Sequence, residues 1–327
     1  MSRARAGHGH AGHGHGHAHL HAHGRLTFRA AMASVAMALF LSALKGWAAY
    51  ETGSTAMLGS LADTALDLLA SIITLVGVRV AAMPADDNHR FGHGKAEALV
   101  ALVQVVIISV SALAIGARAI QQFQLGLPTT DAGTGIGVSA IAIAATFGLL
   151  AYQAMVIRRT GSIAIAADNL HYRSDLALNL AVIAALVLEQ YLGLHGADPA
   201  FGIVIAIWLL WGAWRTALSV LDQLMDHEWP AERKLAFIEV AMRHPEARGI
   251  HDLRTRSSGA HDFVQFHLWV RPDMTVAEAH DAMDRIEAEL MAEFPGVEVL
   301  IHPDPEGHSD EIGYVPSETL THQEEHP

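Results

Sequence analysis

The chain has 327 residues, of which 51% are hydrophobic and only 17% are charged, a composition that favours a membrane protein over a soluble one. The net charge of −13 excludes a nucleic-acid-binding protein, whose surface would be basic, and the long apolar runs exclude a disordered acidic chain. Because the chain has no cysteine, disulfides, thiolate zinc sites and cysteine nucleophiles are excluded, and the 22 histidines are its main metal-capable side chains.

The chain opens with a histidine-rich tract. Residues 7–24 contain eight histidines alternating with glycine and alanine, which can chelate divalent cations loosely but cannot bury a core. We therefore predict that residues 1–27 form a flexible arm. An engineered purification tag is the alternative origin of this tract, although such tags are usually uninterrupted histidine runs.

Six apolar segments follow, each long enough to supply the roughly 20 residues that cross a hydrocarbon layer. They predict an α-helical membrane domain of six spans over residues 28–225. The predicted spans lie near residues 29–50, 55–82, 97–123, 134–157, 163–190 and 199–222.

The distribution of basic residues predicts the orientation of these spans. Lysine and arginine precede span one and occur between spans two and three and between spans four and five, whereas the other connections, residues 51–55, 125–133 and 191–198, contain none. By the positive-inside rule, both termini are cytoplasmic. Lys45 and Arg118 then lie near the outer ends of their spans, where long side chains can reach the interface.

The composition changes after Leu224 to that of an acidic soluble domain. Apolar periodicity predicts helices over residues 231–243 and 276–294, and strands over residues 252–257, 263–270 and 297–301. The order α-β-β-α-β predicts a small α+β domain over residues 226–305. Residues 306–327 are polar and rich in Pro, Gly, Glu and Ser, so we predict a disordered tail.

Four ionisable residues lie within the predicted spans at metal-ligand spacing. Asp63 and Asp67 in span two, and His171 and Asp175 in span five, are each four residues apart, so each pair shares one helix face. Carboxylates cost about 2.5 to 3.5 kcal/mol each at the centre of a span, and a bound cation or protons would offset that cost. The alternative is that these groups lie near helix ends and are simply solvated.

The residue types of this set indicate the class of ion. Three carboxylates and one imidazole suit tetrahedral zinc and are tolerable for iron(II), cobalt or cadmium. Two facing helices could therefore converge four ligands on one divalent cation.

Several dispersed motifs resemble the cation diffusion facilitator family, and within it the bacterial zinc and ferrous-iron efflux pumps. The resemblance covers residues 28–305. Its motifs are SLADTALD at residues 60–67, DDNHRFGHGKAE at 86–97, NLHYRSD at 169–175, HDLRTR at 251–256 and IHPDP at 301–305.

This resemblance implies a homodimeric metal/proton antiporter of the bacterial inner membrane, with a metallochaperone-like cytoplasmic domain. It implies a transport site of Asp63, Asp67, His171 and Asp175, and a loop site of Asp86, His89 and His93. It also implies a two-metal regulatory zinc cluster near the dimer interface, and a Lys95–Asp226 charge interlock between protomers. The ligands of this cluster would be His251, His267, His280, His302 and Asp304.

The residues alone leave alternatives to these additional sites. His89 and His93 could equally be interfacial polar residues, and each histidine of the cytoplasmic domain taken singly is more often a solvated surface residue. Lys95 could anchor span three to lipid headgroups, and Asp226 could cap the helix that begins near Ala231.

The predicted function is export of zinc from the cytoplasm in exchange for protons, with iron(II), cobalt and cadmium as further candidate ions. In the resembled family, an Asp at the position of Asp63 accompanies broad ion acceptance. The alternative function is a non-transporting membrane metal sensor. No enzyme is predicted, because the string HEWPA at residues 227–231 lacks the second histidine of a metalloprotease helix.

Overall fold

The computed structural model describes the backbone of residues 14–52, 55–125, 136–192 and 196–308. Within these ranges the chain forms eight helices and one three-stranded sheet. Residues 23–224 make a compact helical unit, and the residues from Met225 onward, grouped with those before His23, make a second.

The helical unit contains the six long helices that the apolar segments predict. Each has at least 25 residues and is therefore at least about 37 Å long. They are α1 Gly14–Thr52, α2 Thr55–Ala81, α3 Ala96–Leu125, α4 Ile136–Thr160, α5 Ile163–Leu192 and α6 Ala197–Leu224.

Five of these helices are long and apolar enough to cross a membrane, judged over the described residues, and α5 is not one of the five. The first half of α5 carries four ionisable side chains, which lower its mean hydropathy: Asp168, His171, Arg173 and Asp175. The helix of span five is thus present, but its polar content sets it apart from the other five.

The first helix begins earlier than expected. We predicted a flexible arm over residues 1–27, whereas α1 starts at Gly14 and includes the described second half of the histidine tract. Alanine is the strongest helix former, and the tract ends at the start of a long apolar helix that can propagate backwards through it. Residues 1–13 lie outside the described residues.

Two glycines permit close helix packing. A Cβ atom at Gly77 on α2 would lie 2.0 Å from Cγ2 of Val100 on α3, and one at Gly202 on α6 would lie 2.9 Å from Cβ of Ala119 on α3. Both distances are shorter than real Cβ contacts, so any larger residue would push the helices apart.

A tight turn joins α4 to α5. Gly161 has a φ of +65°, a left-handed conformation that glycine adopts without strain, and its N–H donates to the Ile157 carbonyl at 2.8 Å. The next residue, Ser162, accepts a hydrogen bond from the N–H of Ile165 and so caps α5. This turn fixes the start of the helix that carries His171 and Asp175.

The second unit confirms the predicted α-β-β-α-β order. It consists of α7 Ala231–Ala241, β1 Gly249–Ser258, β2 His261–Val270, α8 Val276–Glu293 and β3 Val297–Pro305. The central strand β2 pairs antiparallel with β1 and parallel with β3. Strand β3 runs four residues beyond the predicted end at Ile301, which brings His302 and Asp304 into the sheet.

The sheet has one apolar face and one polar face. Val264, Phe266 and Leu268 alternate along β2 and pack with Phe237 of α7 and Leu290 of α8 in a buried core. The intervening positions of β2 point to the opposite side of the sheet, because successive strand side chains alternate. His267 of β2 therefore lies on the face away from α7 and α8.

Helix α8 begins with a capping box. Oγ1 of Thr275 accepts from the N–H of Glu278, and the Glu278 carboxylate accepts from the N–H of Thr275 at 2.8 Å. The backbone N–H of Thr275 and its hydroxyl hold the pKa of Glu278 below its ordinary value of 4.5. The backbone N–H groups of Thr275 and Glu278 thus find hydrogen-bond partners within the first turn itself.

We expect Thr275→Ala to lower the free energy of unfolding of this unit by about 1 kcal/mol, while Thr275→Ser keeps most of it. Because folding lowers the pKa of Glu278, its contribution is complete above the unfolded pKa near 4.5 and is lost as the pH falls through the folded value. Hydrogen exchange of the α8 amides in the full-length protein measures both effects. Equal exchange rates in the Ala and Ser variants would contradict the capping role.

Candidate metal centres

The first candidate centre lies between α2 and α5. Nε2 of His171 is 3.0 Å from Oδ1 of Asp67 and 3.9 Å from Oδ2 of Asp175. One ligand atom from each of the three side chains lies within 4.8 Å of the others, a spacing compatible with a single ion. His171 is buried, whereas both carboxylates are partly exposed.

The structure therefore brings together three of the four residues predicted for this site. The fourth, Asp63, belongs to α2 one turn before Asp67, but its side chain lies outside the described part of the chain. Its role as a ligand stays a prediction.

A buried polar network supports α5 one turn before His171. Asp168 accepts hydrogen bonds from Oγ of Ser34 on α1 at 2.6 Å and from Nε2 of Gln153 on α4 at 2.7 Å. Asn169 donates to Oε1 of Gln153 at 3.0 Å, which turns the amide nitrogen of Gln153 towards Asp168. Three helices are thus joined by hydrogen-bonded side chains in an apolar surrounding, where such bonds are strong.

The sequence analysis did not identify this network. Its signal was available, because Ser34, Gln153 and Asp168 are polar residues inside predicted apolar spans. Tyr172 extends the network, since its hydroxyl donates to the Ser34 carbonyl at 2.9 Å and lies 3.0 Å from Oγ of Ser71 on α2. The residue adjacent to His171 is therefore anchored to both α1 and α2.

Lys45 also differs from its predicted position. The sequence placed it near the outer end of span one, with its side chain reaching the interface. In the structure its Nζ donates to Oγ1 of Thr64 at 2.7 Å, between α1 and α2 and one turn before Asp67. A cation is thus held beside the helix that carries the aspartates.

The second candidate centre is in the loop between α2 and α3. Oδ1 and Oδ2 of Asp86 lie 3.2 Å from Nδ1 of His89 and 3.4 Å from Nε2 of His93. The backbone N–H groups of His89 and Asn88 donate to this carboxylate, and they hold the pKa of Asp86 below its ordinary value. The three predicted residues form one exposed group that could hold a metal ion.

The third candidate centre is on the polar face of the sheet in the second unit. His251 pairs with His267 across β1 and β2, and His267 pairs with His302 across β2 and β3. Directly paired residues point to the same face. Register therefore aligns three histidines from distant parts of the chain in one row.

Asp304 lies within reach of all three rings. Its Oδ2 is 2.8 Å from Nδ1 of His267 and 3.2 Å from Nε2 of His251, and its Oδ1 is 3.4 Å from Nε2 of His302. The carboxylate is only 6% exposed. Its two oxygens face different histidines, which is the arrangement that a carboxylate bridging two ions requires.

The state of His251 fits a metal ligand. Its side chain is 1% exposed, and neither ring nitrogen makes a well-aligned hydrogen bond to any described residue, although Nε2 lies close to Asp304. Burial lowers the pKa of His251, and the neighbouring His267 lowers it further. These effects favour the neutral ring, which offers the lone pair of one nitrogen and is the form that binds zinc.

Asp252 is a candidate ligand that the sequence analysis missed. Its carboxylate lies within 4.8 Å of ligand atoms of His251 and His267. Strand alternation would send it to the opposite face from His251, but β1 has a register shift here and Asp252 has a φ of +52°. Only the bulge brings these two neighbours to one side.

His280 is not brought to this cluster within the chain. It lies on α8, 68% exposed, with Nδ1 3.7 Å from Oδ1 of Asp284. Because the cluster was predicted near a dimer interface, the contribution of His280 to it stays a prediction. Helix α8 packs on the apolar face of the sheet, whereas the row of histidines lies on the polar face.

The two residues of the predicted interlock are described separately in the structure. Nζ of Lys95 donates to the Leu224 carbonyl at 3.2 Å, so this cation stabilises the C-terminal end of α6. Asp226 has a φ of +56° immediately after α6. The alternative that Asp226 caps α7 is wrong, because the N-cap of α7 is Pro230 and no side chain caps it.

The chain matches two family models over most of its length. One, described as the cation efflux transmembrane domain, matches residues 31–225. The other, described as the cation efflux protein cytoplasmic domain, matches residues 230–306. Their boundary agrees with the division between the two units at Leu224.

Curated relatives match most of the chain in a single alignment. The cation-efflux pump FieF of Escherichia coli O1:K1 / APEC is 42% identical over 282 residues, which are 86% of this chain and 94% of that pump. FieF of Shigella sonnei (strain Ss046) gives the same values of 42%, 86% and 94%.

Solved structures give shorter matches. The zinc form of CzrB is 37% identical and covers 26% of this chain and 98% of its own, with a TM-score of 0.24. The metal-bound C-terminal domain of the CzcD transporter from Thermotoga maritima is 26% identical and covers 25% of this chain and 99% of its own, with a TM-score of 0.24. Because it matches both family models and these cation-efflux pumps, the chain belongs to the cation diffusion facilitator family of cation-efflux proteins.

Proposed function

We propose that this member of a cation-efflux family exports zinc from the cytoplasm in exchange for protons, by alternating access of one membrane site. The observation that carries the proposal is the convergence of Asp67, His171 and Asp175 between two membrane helices. Ionisable groups in that position are costly, and ion binding offsets the cost. Iron(II), cobalt and cadmium are further candidate ions, because an oxygen-rich set with one imidazole is less selective than a thiolate set.

Proton exchange follows from the chemistry of the ligands. A metal ion binds deprotonated carboxylates and a neutral imidazole, so loading from the cytoplasm releases protons. The same groups take up protons when the ion leaves on the other side. His171 is the proposed proton carrier, because the reference pKa of histidine, about 6.5, is nearest to neutrality.

The remaining groups suit supporting roles on the cytoplasmic side. We propose that both termini are cytoplasmic, that the loop site binds ions arriving at the membrane domain, and that the sheet cluster holds zinc as a regulatory element of a homodimer. The cluster needs neutral imidazoles and a shared carboxylate, and His251 and Asp304 supply them. The histidine-rich arm would concentrate ions nearby without forming the pathway.

Reconstituted vesicles test the proposal against the alternative of a metal sensor. The vesicles have an acidic interior, and zinc is added outside. We expect copies whose cytoplasmic side faces outward to carry zinc into the vesicles and protons out, and fluorescent indicators follow both fluxes. Collapsing the pH gradient should slow zinc entry. A sensor would bind zinc under these conditions with neither flux, and zinc entry unaffected by pH would contradict antiport. Adding iron(II), cobalt, cadmium or manganese in competition ranks the ions.

The Lys95–Asp226 interlock also remains a proposal, and charge reversal tests it. We expect Lys95→Asp and Asp226→Lys each to reduce zinc flux about tenfold, because each places two like charges together in a partly shielded junction. The double exchange should restore most of the flux, measured at equal protein per vesicle.

Arg90→Asp is the matched control, because it reverses an exposed charge in the same loop, and should leave flux near that of the wild type. If the double exchange is no better than the worse single variant, Lys95 acts only through the end of α6 and the interlock is abandoned.

A further inference from the structure

Two arginines border an open groove between α5 and α6, away from the metal centres. The groove has a volume of about 260 Å³. Arg173 comes from α5 and Arg215 from α6. The other lining residues are small or aromatic: Ala166, Asn169, Leu170, Trp208, Trp211, Gly212 and Thr216.

Neither arginine has a counter-charge. Among the described residues, neither the Arg173 nor the Arg215 guanidinium makes a hydrogen bond or ion pair, and Arg215 lies 5.1 Å from the ring centroid of Trp211. Cations within membrane helices are costly and normally pair with an anion or reach the interface. Two of them at one groove, with no anionic partner among the described residues, therefore indicate a site for an external anion.

Both arginines approach the same membrane surface. The start of α5 and the end of α6 lie beside the start of α3, because Ser162 donates to Glu97 at 2.6 Å and Lys95 donates to the Leu224 carbonyl at 3.2 Å. Arg173 follows the start of α5 by ten residues, and Arg215 precedes the end of α6 by nine.

These positions place the guanidinium groups near lipid headgroups. At 1.5 Å per residue, each arginine Cα lies about 15 Å from its helix end. Helices of 30 and 28 residues extend about 6 Å beyond each side of a 30 Å hydrocarbon layer. The Cα atoms then lie about 8 Å inside the layer, a depth from which an extended arginine side chain reaches the edge of the hydrocarbon, next to the headgroups.

We propose that this groove binds the phosphate of an anionic phospholipid from the leaflet beside the α3 start. Arg173 and Arg215 would bind the phosphate oxygens, since guanidinium groups pair with phosphate in a planar, multiply bonded geometry. One acyl chain would follow Leu170, Trp211 and Trp208 deeper into the membrane. Arg173 lies about 200° around α5 from His171, so the lipid would occupy the back of the helix that carries the metal ligands.

Lipid titration of the purified full-length protein in detergent tests this site without metal transport. We expect phosphatidylglycerol to bind at least about tenfold more tightly than phosphatidylcholine. Native mass spectrometry and the unfolding temperature measure the binding of each lipid. Arg173→Gln with Arg215→Gln should abolish the preference. Arg158→Gln with Arg159→Gln, which removes two basic residues at the nearby end of α4, should retain it.

Two further arms separate the outcomes. Inorganic phosphate at the same phosphate concentration should give no shift; a shift equal to that of the lipid would identify a soluble anion site and overturn the proposal. Arg173→Lys with Arg215→Lys keeps the charge and should keep part of the preference, even if the Gln pair folds poorly. Equal binding of both lipids by the wild type, or an unchanged preference in the Gln pair, would also overturn it.

Discussion

Replacing Asp175 with alanine should reduce zinc flux by about 100-fold or more, since loss of even an outer-shell partner typically costs 10- to 100-fold in metal affinity. Asp175 lies 3.9 Å from Nε2 of His171 and is partly exposed, so it can meet an incoming ion. The substitution leaves the Asp67–His171 contact and the Asp168 network in place. We therefore expect lost transport from a folded protein, measured as zinc-dependent proton flux in vesicles.

The matched control is Asp222→Ala, which removes an exposed carboxylate from α6 outside the three metal centres. It should transport like the wild type at equal protein density. Unfolding temperatures of both variants in detergent should lie close to that of the wild type. Normal flux through Asp175→Ala would remove this residue from the transport site, whereas a large fall in unfolding temperature would assign it a structural role.

Replacing Asp304 with alanine should remove most zinc binding from the sheet cluster. Among the described residues, this carboxylate is the one that lies close to His251, His267 and His302, so its loss removes an oxygen ligand from any ion bound there. A 100-fold weaker affinity would lower zinc-dependent stabilisation by about 2.7 kcal/mol at zinc concentrations far above the dissociation constants of both proteins. Hydrogen exchange of the β1–β3 amides, with and without zinc, measures that change in the full-length protein.

Asp284→Ala is the control for this experiment, because it also removes a carboxylate that lies beside a histidine, but on exposed α8. It should leave zinc stabilisation unchanged. His280→Ala provides a second comparison, since His280 lies apart from the cluster within one chain. If His280→Ala weakens zinc binding as strongly as Asp304→Ala, His280 reaches the cluster from the partner subunit. Unchanged zinc binding by Asp304→Ala would contradict the bridging role.

Hydropathy and spacing predicted the main elements of the chain. When lipid replaces water, the backbone N–H and C=O groups of a long apolar segment must form hydrogen bonds within the segment, as they do in a helix. The six helices therefore followed from composition. Asp63 with Asp67 and His171 with Asp175 were recognised from the sequence, because ionisable residues stand out where nearly every neighbour is apolar. The cytoplasmic domain's order of helices and strands followed from apolar periods of 3.6 and 2 residues.

Contacts between helices were beyond the reach of a single sequence. The sequence shows that Ser34, Gln153 and Asp168 are polar residues in apolar spans, but it does not show that they contact one another. The rotation of each helix and its neighbours depend on the packing of all six helices together. The hydrogen bond of Lys45 to Thr64 likewise depends on where α1 lies against α2. Hydropathy alone placed that lysine at the interface.

The sheet cluster shows most clearly what the sequence determines and what depends on the tertiary structure. Residue types and the family resemblance named His251, His267, His302 and Asp304 as ligands, but strand register decided that the three histidines form one row. A slip of one residue would send a strand's side chains to the other face, and the bulge at Asp252 turns that residue towards the row against simple alternation. Register is set by the apolar core on the opposite face, so the placement of these polar ligands depends on packing that no local motif encodes.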